Sequence, residues 1–184
     1  MDIFTMIMAC SLYPDNSITN AVIQVSSGGK ALAVTSIAAD GTVTNKDTFK
    51  NAAQAAQYAQ SAIDKGDQVA IGLMQIPYKW LPLYQGRASL EELFRPCKNM
   101  VIATDALNKA ARQCREEDEL DSTCALSVYR TGERKQGIAY AEAVLKYAAE
   151  NPMKNKAENA VNHQQTPPPI AELPEPNFGG EDPT

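Results

Sequence analysis

Ala21-Val22-Ile23-Gln24-Val25-Ser26-Ser27-Gly28-Gly29-Lys30-Ala31-Leu32-Ala33-Val34 changes character at its centre. Upstream, Ile18, Ala21, Val22 and Val25 fall at i, i+3, i+4 and i+7, which makes one apolar face of a helix. Asp15 or Asn16 can cap its start, because a short polar side chain there accepts from the unpaired N–H groups of the first turn. Gly28-Gly29 ends it, since glycine takes a left-handed cap without steric cost. The helix is expected over Asp15 to Ser27. Ser26 falls in its last turn, beside the apolar stripe, where a side chain can leave the core and face a cleft. Downstream, Ala31 to Asn45 alternates small apolar and polar residues as a strand does. Asp40-Gly41 marks a hairpin between Ser36-Ile37-Ala38-Ala39 and Thr42-Val43-Thr44.

A second helix follows, with Asp47 or Thr48 as its cap. Phe49, Ala52, Ala53, Ala56, Ala59 and Ile63 give the 3.6 period, and Gly66 closes it. Gly72-Leu73-Met74-Gln75-Ile76 is a short apolar block, and Pro77 and Pro82 then force irregular chain around Trp80. Ser89-Leu90-Glu91-Glu92 is a capping box for a short helix ending near Phe94. Lys98 to Arg115 reads as a helix with Val101, Ala103, Leu107, Ala110 and Cys114 inward. Glu116-Glu117-Asp118-Glu119 reads as a solvated loop. Ser122 to Arg130 and Ile138 to Ala149 are two more helical stretches. From Asn151 the character changes: Thr166-Pro167-Pro168-Pro169 and Pro174-Glu175-Pro176 oppose a packed element, so residues 151–184 are expected to be a disordered or extended tail. Such a tail fits a partner ligand or a solubilising segment equally.

The 184 residues suit one domain, and a hydrophobic fraction of 44% can fill one core. A net charge of −5 without a basic block argues against nucleic acid as a partner. No apolar run approaches the roughly 20 residues that span a bilayer. Met1 to Ala9 is mildly apolar but short and lacks the charged start of a signal peptide, so export would depend on something outside it or on an upstream start. The one histidine, His163, lies in the Pro-rich tail, which argues against His-dependent catalysis and most metal chemistry; no metal and no cofactor is expected. Cys10, Cys97, Cys114 and Cys124 lack C-x-x-C spacing, so a zinc site is not expected. Two disulfides in an oxidising compartment or four buried thiols both fit, with three pairings open.

Three blocks together resemble the lytic transglycosylases. The segment around Ser26 is similar to V-E-S-G-G-N-P-x-A-V/I, a common form of that family's active-site segment. Gly72-Leu73-Met74-Gln75 resembles its G-L-M-Q block, and Tyr129-Arg130-Thr131-Gly132 its Y-N-x-G block. Any one block is weak; three in the family's order, over about Ala9 to Ala149, are specific. The implied fold is lysozyme-like and mainly α, with a small β-hairpin region beside the cleft, in a domain over residues 9–150. The closest likeness is to the transglycosylases of type IV secretion and conjugation systems. It rests on Ala9-Cys10, on Lys65-Gly66-Asp67 before the G-L-M-Q block, on Phe94-Arg95-Pro96-Cys97-Lys98-Asn99, on Cys114 and on the Pro-rich C-terminal region. Cys124 departs from that subfamily, in which a cysteine precedes the Tyr where Val128 stands; one helical turn earlier, it can reach the same partner. The likeness favours disulfides and points to the periplasm.

Glycosidic cleavage needs a proton delivered to the leaving oxygen, from a carboxyl group whose pKa an apolar cleft has raised. In the family one Glu does this, and the 6-hydroxyl of N-acetylmuramic acid then closes on its own C1 to give a 1,6-anhydro product. Matched residue by residue, Ser26 stands at that Glu. Ser27 stands at the Ser that orients the acid and helps hold substrate. Gly72, Leu73, Met74, Gln75 and Tyr129 match substrate-side residues, and Arg130 stands where Asn is usual. A serine hydroxyl is no useful acid at neutral pH, and general acid–base catalysis is worth roughly 10²–10⁴-fold. Asp40 and Asp47 are the nearest carboxylates in sequence but lie outside the matched blocks. Ser26 as nucleophile lacks a His to activate it, and nothing pairs it with Lys30. Three readings follow: an impaired or inactive transglycosylase-like protein that binds peptidoglycan strands for a secretion apparatus, an active lytic transglycosylase that opens the wall locally, or a structural helical domain. The third gives no reason to keep Gln75, Tyr129 and the G-L-M-Q block together.

Overall fold

Asp15 caps the helix that carries Ser26: its carboxylate accepts from Ser17 N at 2.8 Å and Ile18 N at 3.2 Å. A computed structural model describes residues 2–116 and 119–153. Its elements are α1 (Ile3–Cys10), α2 (Asn16–Ser26), β1 (Ala33–Ile37), β2 (Val43–Thr48), α3 (Ala52–Asp64), β3 (Val69–Ile71), β4 (Ile76–Pro77), α4 (Pro96–Gln113), β5 (Arg115–Glu116), β6 (Glu119–Leu120), α5 (Ser122–Thr131) and α6 (Ile138–Glu150). Short 3-10 turns cover Tyr78–Tyr84 and Glu92–Phe94. The fold is mainly helical, with one small antiparallel sheet of order β2-β1-β3-β4.

The apolar periodicity places the core. Ala21 and Val22 of α2, Met100, Ala103, Ala106 and Leu107 of α4, Ala125 and Leu126 of α5 and Ala141 and Val144 of α6 are buried together. α4 and α6 both pack on α5, and α6 also packs on α2. The sheet lies beside these helices. In it Val34 pairs with Ile71, and Ala70 with Pro77. Gly28 and Gly29, both with positive φ, turn the chain from α2 toward β1.

Several local expectations shift. α3 is capped by Asn51, whose side chain accepts from Gln54 N at 2.9 Å, because Asp47 and Thr48 belong to strand β2. Phe49 therefore precedes the helix, although it still packs against the core. The acidic run begins and ends in paired strands, with Glu116 opposite Glu119. Ser89 and Glu92 do form the reciprocal capping bonds, at 2.8 and 3.2 Å, but the turn they start is 3-10. Val101 is only half-buried. Ile3–Cys10 forms a helix that the sequence did not announce, since it has almost no polar face. Asp2 caps it by accepting from Thr5 N, and Ile7 sits in the core. The Pro-rich segments lie outside the described residues.

Cys10 is bonded to Cys97, joining the end of α1 to the start of α4, and Cys114 to Cys124, joining α4 to the start of α5. Of the two cysteine readings, disulfides are the one found. Among the described residues no helix is long and apolar enough to cross a membrane.

Candidate functional site

The tight turn Gly72–Gln75 links β3 to β4, and all three sequence blocks meet there. Gly72 has φ +76, and a Cβ on it would come within 2.0 Å of Asn99 Nδ2, so no other residue fits. Asn99, buried on α4, fixes the turn from below. Its Oδ1 accepts from Met74 N at 2.8 Å, and its Nδ2 donates to Ile71 O at 3.1 Å and Leu93 O at 2.8 Å. Ser27 Oγ lies 2.6 Å from Leu73 O and 3.0 Å from Ile23 O, one proton serving both, and accepts from Gly29 N at 3.1 Å. Tyr129 Oη donates to Met74 O at 3.0 Å. Gln75 has φ +51, a left-handed backbone uncommon for a long side chain. Its amide compensates: Oε1 accepts from Thr35 Oγ1 at 2.6 Å, and Nε2 donates to Gly72 O at 2.7 Å and Ala33 O at 3.0 Å.

Ser27, Leu73, Met74, Gln75 and Tyr129 thus face inward, with Gly72 buried among them. The polar side chains of this group bond within the protein. In this structure they build the floor of the site and hold its neighbours in place.

Ser26 is 5% exposed, and its Oγ lies 3.0 Å from Tyr140 Oη, a contact between α2 and α6. Both face a cavity of about 290 Å³, bounded on its other side by Asp40, Gly41 and Thr42 of the β1–β2 turn and by Arg130. Arg130 is 2% exposed. Its Nε donates to Gly41 O at 3.0 Å, and its guanidinium carbon sits 5.1 Å from the Tyr140 ring centroid. Gly41, with φ +84, must lack a side chain, because a Cβ would meet Arg130 Cγ at 2.8 Å. Burial lowers the pKa of Arg130 and raises that of the Tyr140 hydroxyl.

The carboxylate in this cavity is poorly suited to donate a proton. Asp40 accepts from Thr42 N at 2.9 Å, and this bond holds its carboxyl below the usual range, the opposite of a general acid. Asp47 lines neither this cavity nor its neighbour.

Arg130 separates this cavity from a second, of about 320 Å³, that also holds Lys79 and Glu133. Trp80 Nε1 donates to Tyr129 O at 2.8 Å, docking the 3-10 turn on α5. Lys79 is thereby laid over Gly132, where a Cβ would lie 2.5 Å from Nζ. Burial brings its pKa down to about 8; the positive charge of Arg130 adds to this and Glu133 opposes it. Sequence reasoning missed Lys79, Asn99 and Tyr140. Asn99 stands out in the sequence only for its place beside Cys97, Lys79 sits in irregular chain, and Tyr140 carries no motif. The Ser26–Tyr140 meeting becomes visible only when α2 packs on α6.

Among the described residues no group of three or more His, Cys, Asp or Glu side chains could hold a metal ion. A family model, the Transglycosylase SLT domain, matches residues 13–151. No curated protein and no solved structure matches the chain.

Proposed function

The chain belongs to the transglycosylase SLT family, and from there we propose that it binds peptidoglycan strands while lacking the acid that would cleave them. Membership supports a peptidoglycan-related, lytic-transglycosylase-like role. The observation that carries the finer reading is the wall of the Ser26 cavity: a serine hydroxyl faces it from the last turn of α2, and Asp40, the one carboxylate lining it among the described residues, is held toward its ionised form. A proton donor needs a carboxyl group with raised pKa at the leaving oxygen. Ser26 in place of that group leaves a cavity poorly able to break a glycosidic bond, and the binding half of the reading rests on family membership.

The two disulfides support a location outside the cytoplasm, taken here as the periplasm. The Cys97 segment, Cys10, Cys114 and the Pro-rich sequence beyond residue 151 support a place in a type IV secretion or conjugation apparatus, which the protein would help to seat in the wall. Sedimentation with purified sacculi tests the binding claim. The protein is expected in the pellet and released by soluble glycan fragments. A protein that stays in the supernatant at every concentration of sacculi contradicts it and favours a purely structural helical domain.

A further inference from the structure

We infer that the β1–β2 turn, clasped on Arg130, divides the groove that Ser26 faces, so that the site takes the terminal sugars of glycan strands and not their interiors; this rests on the peptidoglycan reading above. Two cavities flank one contact. On one side Ser26, Tyr140, Asp40 and Thr42 help to enclose about 290 Å³. On the other, Ala38, Gln68 and Pro77 help to enclose about 320 Å³. Arg130 and Gln136 line both. Each volume lies near the lower end of the roughly 300–1,000 Å³ typical of small-molecule sites, so each alone suits a short ligand.

Between the cavities the turn is seated on α5. Arg130 Nε donates to Gly41 O at 3.0 Å, and both residues are buried. A Cβ on Gly41 would lie 2.8 Å from Arg130 Cγ and 3.0 Å from Thr131 Cγ2, so the glycine backbone rests directly on the helix side chains. A hydrogen bond of normal length leaves no gap for a sugar. Both halves of the clasp are braced. In the turn, Ala38 N donates to Thr42 O at 2.8 Å, Gly41 N to Ala38 O at 2.9 Å and Thr42 N to the Asp40 carboxylate at 2.9 Å. The guanidinium is backed by the Tyr140 ring, whose centroid lies 5.1 Å away. A strand that ran on from one cavity into the other would have to break the Arg130 bond and lift the turn, leaving a buried charged donor without its acceptor. A terminal sugar that stops at Arg130 needs neither. Arg130 thus acts as a wall that sets which part of a strand fits, without its charge touching the sugar.

The test uses the full chain and glycan strands freed of peptide by an amidase, either uncut or shortened by a muramidase. Calorimetry counts the protein bound per disaccharide. For the unaltered protein this number is expected to rise in step with the number of strand ends, while the Arg130 Nε–H stays protected from hydrogen exchange by NMR. Two variants open the clasp from opposite sides: Arg130→Asn is too short to reach Gly41 O, and Gly41→Asn tolerates the positive φ but forces its Cβ against Arg130. Each is expected to bind uncut strands about tenfold more tightly or better, the effect of one charged hydrogen bond no longer broken on binding. If Arg130→Asn fails to fold, Gly41→Asn and the unaltered protein still decide the matter. Binding by the unaltered protein that ignores strand length, or loss of Nε–H protection when uncut strands bind, overturns this inference alone. Failure of all three proteins to bind any strand removes the peptidoglycan reading and this inference with it.

Discussion

Ser26 Oγ and Tyr140 Oη lie 3.0 Å apart, and the ring of the same Tyr140 carries the Arg130 guanidinium on its face. A carboxylate introduced at position 26 would meet a hydroxyl donor and a nearby cation in one cavity. Both favour its ionised form, and a close cation alone lowers a carboxyl pKa by roughly 1–3 units. Ser26→Glu is therefore expected to form 1,6-anhydro products weakly at neutral pH, with an acidic optimum. Ser26→Glu combined with Arg130→Asn should exceed it by about tenfold to hundredfold. Product release from sacculi, followed against pH, measures both.

Ser27 and Tyr129 hold adjacent carbonyls of one turn, those of Leu73 and Met74. Ser27→Ala and Tyr129→Phe each leave a buried acceptor short of a donor, at about 1–3 kcal/mol. Because both hold the same four residues, the double variant should lose less than the sum of the two single losses. Urea denaturation of the four proteins gives the coupling. Strict additivity would mean that the two bonds act on independent parts of the fold.

The disulfides differ in the chain they enclose: Cys10 and Cys97 are 87 positions apart, and Cys114 and Cys124 are 10 apart. Loop-closure entropy assigns about 4.6 kcal/mol to the first and about 2.7 to the second. Cys10→Ser/Cys97→Ser should thus lower stability by roughly 2 kcal/mol more than Cys114→Ser/Cys124→Ser. Thermal unfolding of the two variants compares them directly.

Lys79 gives stability a defined alkaline dependence. The folded protein releases its proton near pH 8, whereas the unfolded chain keeps it to about 10.5. Between those values the unfolded state binds more protons, so stability rises with pH across that window. Below about 8 the full cost of burying the cation is present. Lys79→Met should remove the rise and gain about 1 kcal/mol at pH 7 once solvent screening is allowed for, or roughly 2–4 °C in Tm. Tm measured at intervals from pH 7 to 10.5 reads both effects.

Periodicity located α2 to within a residue, because Asp15 and Gly28 punctuate it and Ile18, Ala21, Val22 and Val25 write one face. It missed α1, whose sequence Ile3–Cys10 is apolar nearly all round and offers no contrast to read. It placed the cap of α3 too early, since Asp47 and Thr48 are good caps locally but are drawn into pairing with β1. The motif residues were found, but their orientation was not legible. Gln75 and Tyr129 carry polar groups that suit a sugar, and only the packed turn reveals that those groups bond to backbone and to Thr35. Lys79 was invisible for the same reason: its burial comes from Trp80 docking on Tyr129, a contact between segments 49 residues apart in the chain.

The central claim, a glycan-binding cleft without its proton donor, is tested most directly by mass spectrometry of the soluble products after the purified protein is incubated with sacculi that it sediments with. The account predicts binding in the pellet and no 1,6-anhydromuramic products above a protein-free control. Anhydro products that accumulate with time and in proportion to the protein would contradict it, and would mean that another group supplies the proton from the cleft that Ser26 faces.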